Sequence, residues 1–316
     1  MSISAIIPTL NSERTIAKCL ESFSKQVFQP KEIIVIDGES TDSTIEIVEN
    51  FDNVTIMKEA GSPGFARNLG AKIAIGEIIF FCDSDCNLDQ KALKYHTRVY
   101  ENSEYISGVM GSIRRAGIST TVSNFFQKQI MFSDWLLNLN EDGTLASHLR
   151  STNFSIKKNI FDQYKFREDL VRAEDDELFI RFKKNGIKIL YEPRAIIYHY
   201  HPTNIEELFN KYMGYGEGFF QVDRIHGKDF RERYQFFSPT RYITFSKKYL
   251  KDAVLSDNRL LCKDCKVDKY QHCKIESPEI IKNITESNMS LHRITCLAIA
   301  SGILKQRKGI YYKLHG

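Results

Sequence analysis

The sequence has no long hydrophobic run. No stretch reaches the roughly 18 to 20 uninterrupted apolar residues that cross a bilayer, so we predict no membrane-spanning helix. The apolar segment Ile3–Thr9 has neither a basic leader nor a small-residue cleavage site, and we interpret it as a strand and not as a secretory signal. Together these absences favour a cytoplasmic protein.

The cysteines do not indicate a disulfide framework. Seven is an odd number, and thiols usually stay reduced in a chain without a secretory signal. Four metal-ligating side chains do lie close together in the sequence: Cys262, Cys265, His272 and Cys273. They would complete a tetrahedral site for structural Zn2+, although zinc sites usually combine two well-separated pairs and His272 is adjacent to Cys273. A lysine-rich loop with free thiols is the alternative.

The charges separate along the chain. Residues 225–316 carry 18 Lys and Arg against 9 Asp and Glu, a net charge of +9, whereas residues 1–224 carry 26 against 31, a net charge of −5. The basic part is either a solvated surface or a contact for an anionic partner such as a membrane surface, a lipid phosphate or a polyanionic glycan. No nucleic-acid-binding motif accompanies the charge, so we expect no nucleic acid partner. The amphipathic segment Leu291–Leu304 would either pack as a helix or lie at a membrane interface.

The first half of the sequence alternates short apolar strands with amphipathic helices, which is typical of a parallel sheet with crossover helices. We predict four strands in this half: Ile3–Pro8, Glu32–Asp37, Val54–Lys58 and Ile78–Phe81. Asn11 or Ser12 would cap the first helix. Farther along, we predict a strand pair at Tyr105–Arg115 and helices at Thr120–Leu139, Glu174–Gly186 and Asn204–Arg224.

Two aspartates follow the most hydrophobic of these strands. Residues 78–81, Ile-Ile-Phe-Phe, have no polar face, which indicates a strand buried on both sides. Asp83 and Asp85 come where this strand leaves the sheet, and the carboxyl ends of parallel strands form the ligand crevice. Carboxylates there are suited to hold Mg2+ or Mn2+ against phosphates. A polar turn that caps the next helix is the alternative.

The segments after the second and third predicted strands also carry groups that suit a nucleotide. Asp37 ends the second strand, and Arg67 lies in the helix after the third. An aspartate can accept hydrogen bonds from a base or ribose, and a guanidinium group offers paired donors to phosphate. Taken alone, Asp37 would cap the following turn and Arg67 would be a surface residue. Considered with the aspartate pair, they form one predicted site.

Four segments resemble family two of the inverting glycosyltransferases, which are nucleotide-sugar-dependent enzymes with a Rossmann-like GT-A domain. The segments are IIPTLNSERTIAKCLESF at Ile6–Phe23, EIIVIDGESTDST at Glu32–Thr44, GFARNLGAKIAIGEIIFFCDSD at Gly64–Asp85 and AEDDELFIRFKKNG at Ala173–Gly186. The resemblance implies an α/β fold with a mostly parallel central sheet flanked by helices. We assign this domain to residues 1–224, and a smaller, mainly helical, basic appendage to residues 225–316.

The resemblance also implies a donor site and a metal site. Arg67 would approach the diphosphate of the nucleotide-sugar donor, and Asp83 and Asp85 would be the metal-binding Asp-x-Asp pair, with Asp83 also near the donor. The residues that would line the base and ribose are Pro8, Thr9, Asn11, Glu13 and Asp37.

The acidic run Glu174–Glu177 supplies the remaining chemistry. Inverting transfer needs a carboxylate that removes the proton of the acceptor hydroxyl. By the resemblance Asp175 is this base, and we place Glu174 on the acceptor side. The alternative is a helix with acidic residues in its first turn and basic ones in its last, which complements the helix dipole.

Trp135, Asn153 and His199 complete the predicted site. Trp135 either packs in the core or forms one wall of the acceptor site, and Asn153 would touch acceptor or donor. His199 and His201 share one face of a predicted strand. In the resembling enzymes a histidine here approaches the metal or the diphosphate, and His199 aligns best. A pair of surface histidines without a ligand is the alternative.

We therefore expect an inverting glycosyltransferase that moves a sugar to a hydroxyl of a glycan, lipid-linked or polysaccharide acceptor. The protein would be cytoplasmic, with the basic appendage offering peripheral contact at the inner face of the membrane. A catalytically silent glycan- or membrane-binding module of the same fold is one alternative. A sugar-phosphate nucleotidyltransferase is another, disfavoured because residues 8–11 after the first strand, Pro-Thr-Leu-Asn, are not a glycine-rich phosphate loop.

Overall fold

The structure is a computed structural model that describes residues 1–136, 144–146, 148–233, 294–295 and 298–299, without the side chains of residues 131–136, 144 and 231–233. The four predicted zinc ligands and most of Leu291–Leu304 lie outside the described residues, as does the side chain of Trp135. Among the described helices, none combines the length and the apolar character that crossing a membrane requires.

The described strands form one mixed sheet with the order β3-β2-β1-β4-β8-β6-β9-β5, and β7 pairs with β9. The strands are β1 (Ile3–Thr9), β2 (Glu32–Asp37), β3 (Val54–Lys58), β4 (Ile78–Cys82), β5 (Cys86–Leu88), β6 (Gly108–Ala116), β7 (Thr144–Leu145), β8 (Asn153–Lys157) and β9 (Ile189–Tyr200). Strands β3, β2, β1 and β4 are parallel, β8 is antiparallel to both β4 and β6, and β6 is parallel to β9.

Helices connect these strands along the chain. They are α1 (Ile16–Ser24), α2 (Thr44–Glu49), α3 (Pro63–Ile73), α4 (Ala92–Asn102), α5 (Thr121–Leu136), α6 (Lys158–Tyr164), α7 (Glu174–Lys184), α8 (Ile205–His226) and α9 (Lys228–Arg233). The predicted α/β fold is confirmed, and each of the four predicted strands of the first half is present.

Strand β4 lies between two hydrophobic cores. All five of its residues are buried. Ile78 and Phe80 belong to one cluster of buried side chains, whereas Ile79 and Phe81 belong to the other. Because successive side chains of a strand point to opposite faces, a run of four large apolar residues fills both cores at once. The prediction of a strand buried on both sides is confirmed.

Residues 105–115 do not form the predicted strand pair. They contribute to a single strand, β6, which pairs with β8 and β9 instead of folding back on itself. Gly111 does not mark a turn. A Cβ atom there would collide with the Asn153 amide and the Ala195 carbonyl, so the glycine allows neighbouring groups to approach closely.

The predicted cap of the first helix is also wrong. Helix α1 begins at Ile16 after Thr15, with no capping bond from a side chain. Asn11 has a left-handed backbone (φ 49°), which asparagine tolerates better than most residues. Its Oδ1 accepts a hydrogen bond from Thr41 N–H at 2.9 Å. Asn11 therefore ties the loop after β1 to the loop after β2.

The chain divides into two compact units. Residues 1–118 and 126–201 form the first, which contains the whole sheet and every described residue of the predicted site. The described residues 119–125 and 202–233 belong to the second. The domain boundary after residue 224 stays a prediction.

A buried polar network explains Asn153. The Asn153 amide donates to the carbonyls of Ser112 (3.0 Å) and Ala195 (2.9 Å), which fixes its orientation. Its Oδ1 must then accept from His96 Nε2, at 3.0 Å, and His96 Nδ1 lies 2.8 Å from the Ser155 hydroxyl. Asn153 is 0% exposed. The described structure therefore gives Asn153 a structural role, and its contact with acceptor or donor stays a prediction.

The network makes stability depend on pH. Burial lowers the pKa of His96 to about 4, whereas an unfolded histidine titrates near 6.5. Between pH 6.5 and 4 the unfolded state therefore binds a proton on His96 that the folded state does not bind, and stability is lost as the pH falls through this range. We expect this group to contribute about 3 kcal/mol to that loss.

Urea unfolding across this pH range should show that the free energy of unfolding depends less on pH in His96→Gln than in wild type, and His226→Gln serves as the control. Parallel profiles for wild type and His96→Gln would contradict the assignment.

Candidate active site

The loops after β1, β2 and β4 meet at one edge of the sheet. Glu13 Oε2 accepts from Ser43 N–H at 3.1 Å, which joins the loop after β1 to the start of α2. The hydroxyls of Ser12 and Ser84 lie 2.8 Å apart, which joins the same loop to the aspartate pair after β4. The prediction that these strand ends form one site is therefore consistent with the geometry.

Arg67 links two acidic elements of this site. It lies on α3 and is 4% exposed. Its Nη2 donates to Asp83 Oδ1 at 2.7 Å, and its Nη1 donates to Glu174 Oε1 at 2.6 Å. Arg67 is thus not a surface residue. Both of its Nη atoms bind protein carboxylates, so it joins the loop after β4 to the first turn of α7. Its approach to a diphosphate stays a prediction.

The loop before β8 also contacts both acidic elements that Arg67 links, the loop after β4 and the first turn of α7. Ser151 N–H donates to Asp175 Oδ2 at 3.2 Å, and Thr152 Oγ1 donates to Asp83 Oδ2 at 2.8 Å. The other oxygen of Asp175 accepts from the Asp176 N–H at 2.9 Å. Sequence reasoning missed Ser151 and Thr152. Their only signal was position, since both lie just before Asn153 in the sequence.

Burial and neighbouring charges separate the pKa values of these carboxyls. Burial alone would raise the pKa of Asp83, but Arg67 and the Thr152 hydroxyl hold it below its ordinary value. Burial raises the pKa of Glu174 to about 7 despite Arg67. Burial also raises the pKa of Asp175, against the Ser151 N–H bond. Asp83 therefore remains an anion, whereas Asp175 is a stronger base than an ordinary aspartate.

Asp85 and His199 form a second cluster beside the first. Strand β5 pairs with β9, with Cys86 opposite His199, and Tyr200 N–H donates to the Asp85 carbonyl at 3.1 Å. Asp85 Oδ2 lies 3.3 Å from His199 Nε2, and the Asp85 side chain is 39% exposed. The ligand atoms of Asp85, Cys86 and His199 all lie within 4.8 Å of one another. An exposed carboxylate facing an imidazole nitrogen fits a divalent cation.

The remaining predicted donor residues lie around the same edge. Pro8 and Thr9 end β1, and the buried Thr9 hydroxyl has no hydrogen-bond partner among the described residues. Asp37 is 0% exposed. Its two oxygens accept from Ser40, from N–H at 2.8 Å and from Oγ at 2.6 Å. Asp37 thus caps its own turn, and its contact with a nucleoside stays a prediction.

A family model described as glycosyl transferase family 2 matches residues 4–165. Poly(ribitol-phosphate) beta-N-acetylglucosaminyltransferase TarS from Staphylococcus aureus is 30% identical over 236 residues. That match covers 71% of this chain but only 40% of TarS, so the chain spans well under half the length of this relative.

Two solved structures share the fold. TarS residues 1–349 from S. aureus, in complex with UDP-GlcNAc, has a TM-score of 0.56 and 20% identity, covering 99% of this chain and 92% of that one. The mannosyltransferase PcManGT from Pyrobaculum calidifontis, in complex with GDP-Man and Mn2+, has a TM-score of 0.63 and 16% identity, covering 98% and 87%. The likeness confirms the fold that the sequence resemblance implied.

Proposed function

Because the chain belongs to glycosyl transferase family 2, we propose that it moves a sugar from a nucleoside-diphosphate sugar to an acceptor hydroxyl, with inversion, in a single displacement. The observation that carries this proposal is the Arg67 bridge between Asp83 and Glu174. It joins the strand end that suits a nucleotide to the helix turn that carries Asp175. Arg67 thereby holds Asp83, on the proposed donor side, next to the turn that carries the proposed base Asp175.

Asp175 is the base in this proposal. As the acceptor oxygen bonds to the anomeric carbon, the bond from that carbon to the diphosphate breaks and the hydroxyl proton passes to Asp175. Two backbone N–H groups hold the carboxylate, and each oxygen keeps a further lone pair for that proton. Its raised pKa increases its affinity for the proton.

Asp85 and His199 would hold a divalent cation, Mg2+ or Mn2+. When bound, such an ion neutralises charge that develops on the departing diphosphate. Asp83 is less suited to this role, because the Arg67 guanidinium group already neutralises its charge, whereas the Asp85 carboxylate is partly exposed. We assign Asp83 to the donor side of the site, where its charge is fixed by Arg67.

The relatives support the choice of substrates. TarS is named for transfer of N-acetylglucosamine to poly(ribitol-phosphate), and its structure holds UDP-GlcNAc, whereas PcManGT holds GDP-Man with Mn2+. We therefore propose a UDP- or GDP-sugar as donor and a hydroxyl-rich cell-envelope polymer or lipid-linked glycan as acceptor. Peripheral contact of the basic segment with an anionic membrane remains a prediction.

Thermal stabilisation tests the donor and metal roles. A panel of UDP- and GDP-sugars, with and without Mn2+, should raise the melting temperature by about 5 °C for the correct donor at 100 times its Kd. Asp85→Ala should lose the Mn2+-dependent part of this shift because it removes the exposed carboxylate. Asp89→Ala, in the same segment, is the matched control and should keep it.

The same samples separate the enzyme from a silent binding module. Release of nucleoside diphosphate from the stabilising donor, followed by chromatography, reports turnover by hydrolysis or transfer. Stabilisation without any release, even with a polyol-phosphate acceptor added, would favour the binding module. A folded protein that no nucleotide stabilises would refute the proposed donor site.

A further inference from the structure

A chain of three hydrogen-bonding side chains leads from helix α5 to Asp85. Gln127 Oε1 lies 3.0 Å from His201 Nε2, and His201 Nδ1 lies 3.0 Å from His199 Nδ1. His199 then places its Nε2 3.3 Å from Asp85 Oδ2. His199 and His201 are 7% and 5% exposed. The two histidines are thus buried, between the half-buried Gln127 and the partly exposed Asp85 carboxylate.

The orientation of Gln127 is determined by the backbone. Its Nε2 donates to the Ile113 carbonyl at 3.3 Å. A carbonyl oxygen only accepts hydrogen bonds, so the opposite assignment of the amide would set two oxygens against each other. Gln127 Oε1 must therefore be the atom that faces His201.

Proton positions along the chain follow from that one orientation. Because Gln127 Oε1 only accepts, His201 Nε2 must carry a proton, and Nδ1 of the neutral ring is then an acceptor. The short contact between the two Nδ1 atoms needs one proton, which His199 Nδ1 must supply. In the neutral pair, His199 Nε2 consequently turns a lone pair towards Asp85 Oδ2. A lone pair and a carboxylate oxygen repel each other unless a proton or a metal cation lies between them, and the tautomer measurement below distinguishes the two.

We propose that Gln127 and His201 are positioning residues that hold His199 in the Nδ1–H form, so that Nε2 and Asp85 together bind the cation. This inference rests on the proposed metal-dependent function and adds the residues that select the ligand form of His199. The Phe126 ring packs edge-on against His201 with centroids 5.0 Å apart, which restrains the imidazole plane. Partners of this kind fix the tautomer of a metal-binding histidine in other proteins.

Nitrogen NMR of the full chain, labelled with 15N-histidine and free of metal, reads the tautomers directly. At pH 8 we expect His199 to be protonated on Nδ1 and His201 on Nε2, with signals assigned by their loss in His199→Gln and His201→Gln. Gln127→Leu removes the acceptor and should scramble both tautomers. Gln127→Glu keeps an acceptor towards His201 Nε2 and should preserve them, although its second oxygen faces the Ile113 carbonyl without the hydrogen bond that the amide donates. A proton on His199 Nε2 in the wild type would overturn the proposal.

Binding of Mn2+, measured by the paramagnetic resonance of the free ion, gives the second readout. Gln127→Leu should raise the Kd for Mn2+ about tenfold, whereas Gln127→Glu should stay close to wild type. Gln163→Leu, an exposed glutamine on α6 that also donates to a backbone carbonyl, is the matched control and should bind as the wild type does. Equal Mn2+ affinity in Gln127→Leu and wild type would also overturn the proposal.

The two readouts separate this inference from the proposed function. The tautomers are measured without metal, donor or acceptor, so their result stands whether or not the protein transfers sugar. A wild type with the expected tautomers that binds no Mn2+ would refute the metal-assisted function and, with it, the role given to His199. A wild type that binds Mn2+ with the opposite tautomers would refute only the positioning role.

Discussion

Replacing Asp175 by asparagine is expected to lower kcat for sugar transfer by about 10²–10⁴-fold, the usual contribution of a general base. Donor binding should stay nearly unchanged, because the Arg67 bridge and the Asp85–His199 pair are left intact. Asparagine cannot take a proton at neutral pH. Its amide NH2 group would also face one of the two backbone N–H groups from which Asp175 accepts hydrogen bonds. Initial rates of nucleoside diphosphate release, measured with the donor found by thermal stabilisation, check this prediction.

The control for this change is Asp176→Asn in the same helical turn. It removes the same charge from the start of α7, and with it the same interaction with the helix dipole. If both variants lost transfer equally while remaining folded, the general electrostatics of the turn would explain the effect. If Asp175→Asn lost donor binding in parallel with transfer, its role as base would be wrong.

Replacing Arg67 by methionine is expected to lower the free energy of unfolding by about 3–5 kcal/mol, the range for removal of one partner from a buried ion pair. The two carboxylates that Arg67 joins, Asp83 and Glu174, would then face each other without a cation. Urea or thermal unfolding measures the change. We also expect donor-dependent stabilisation to weaken, because Asp83 would lose the group that fixes its position.

Two comparisons test the origin of that loss. The double variant Arg67→Met/Asp83→Asn removes the carboxylate that stays ionised, because Glu174 already has a pKa of about 7, and should be more stable than Arg67→Met alone. Arg167→Met removes an arginine that is 41% exposed and pairs with Asp169, so its cost should be at most about 1 kcal/mol. A double variant less stable than the single one would show that unpaired charge is not the cause.

Several features of the site could be predicted from local sequence. Residues 78–81 lack a polar face and therefore indicate a strand buried on both sides. The position of Asp83 and Asp85 at the carboxyl end of this strand follows directly, because they come next in the sequence. The first turn of α7 was predicted correctly for a similar reason, since its acidic and basic residues lie at opposite ends of one helix. Both features depend on residues near each other in the chain.

The roles of Arg67, Asp37 and Asn153 could not be predicted in this way. Arg67 appeared suited to phosphate, but its partners Asp83 and Glu174 include a residue 107 positions away. Asn153 was predicted to touch acceptor or donor, and the structure shows its amide bonded to His96 and to two backbone carbonyls from other strands. Asp37 is occupied by its neighbour Ser40.

The sequence by itself determined the four strands of the first half and the side chains at their carboxyl ends, because strand and helix periodicity and strand-end chemistry are local. Only the tertiary structure decided which of those polar groups face each other. Hydrogen bonds and ion pairs between distant segments, such as Gln127 with His201 and Arg67 with Glu174, depend on how strands are ordered in the sheet. That order follows from the packing of both cores, which no short stretch of sequence specifies.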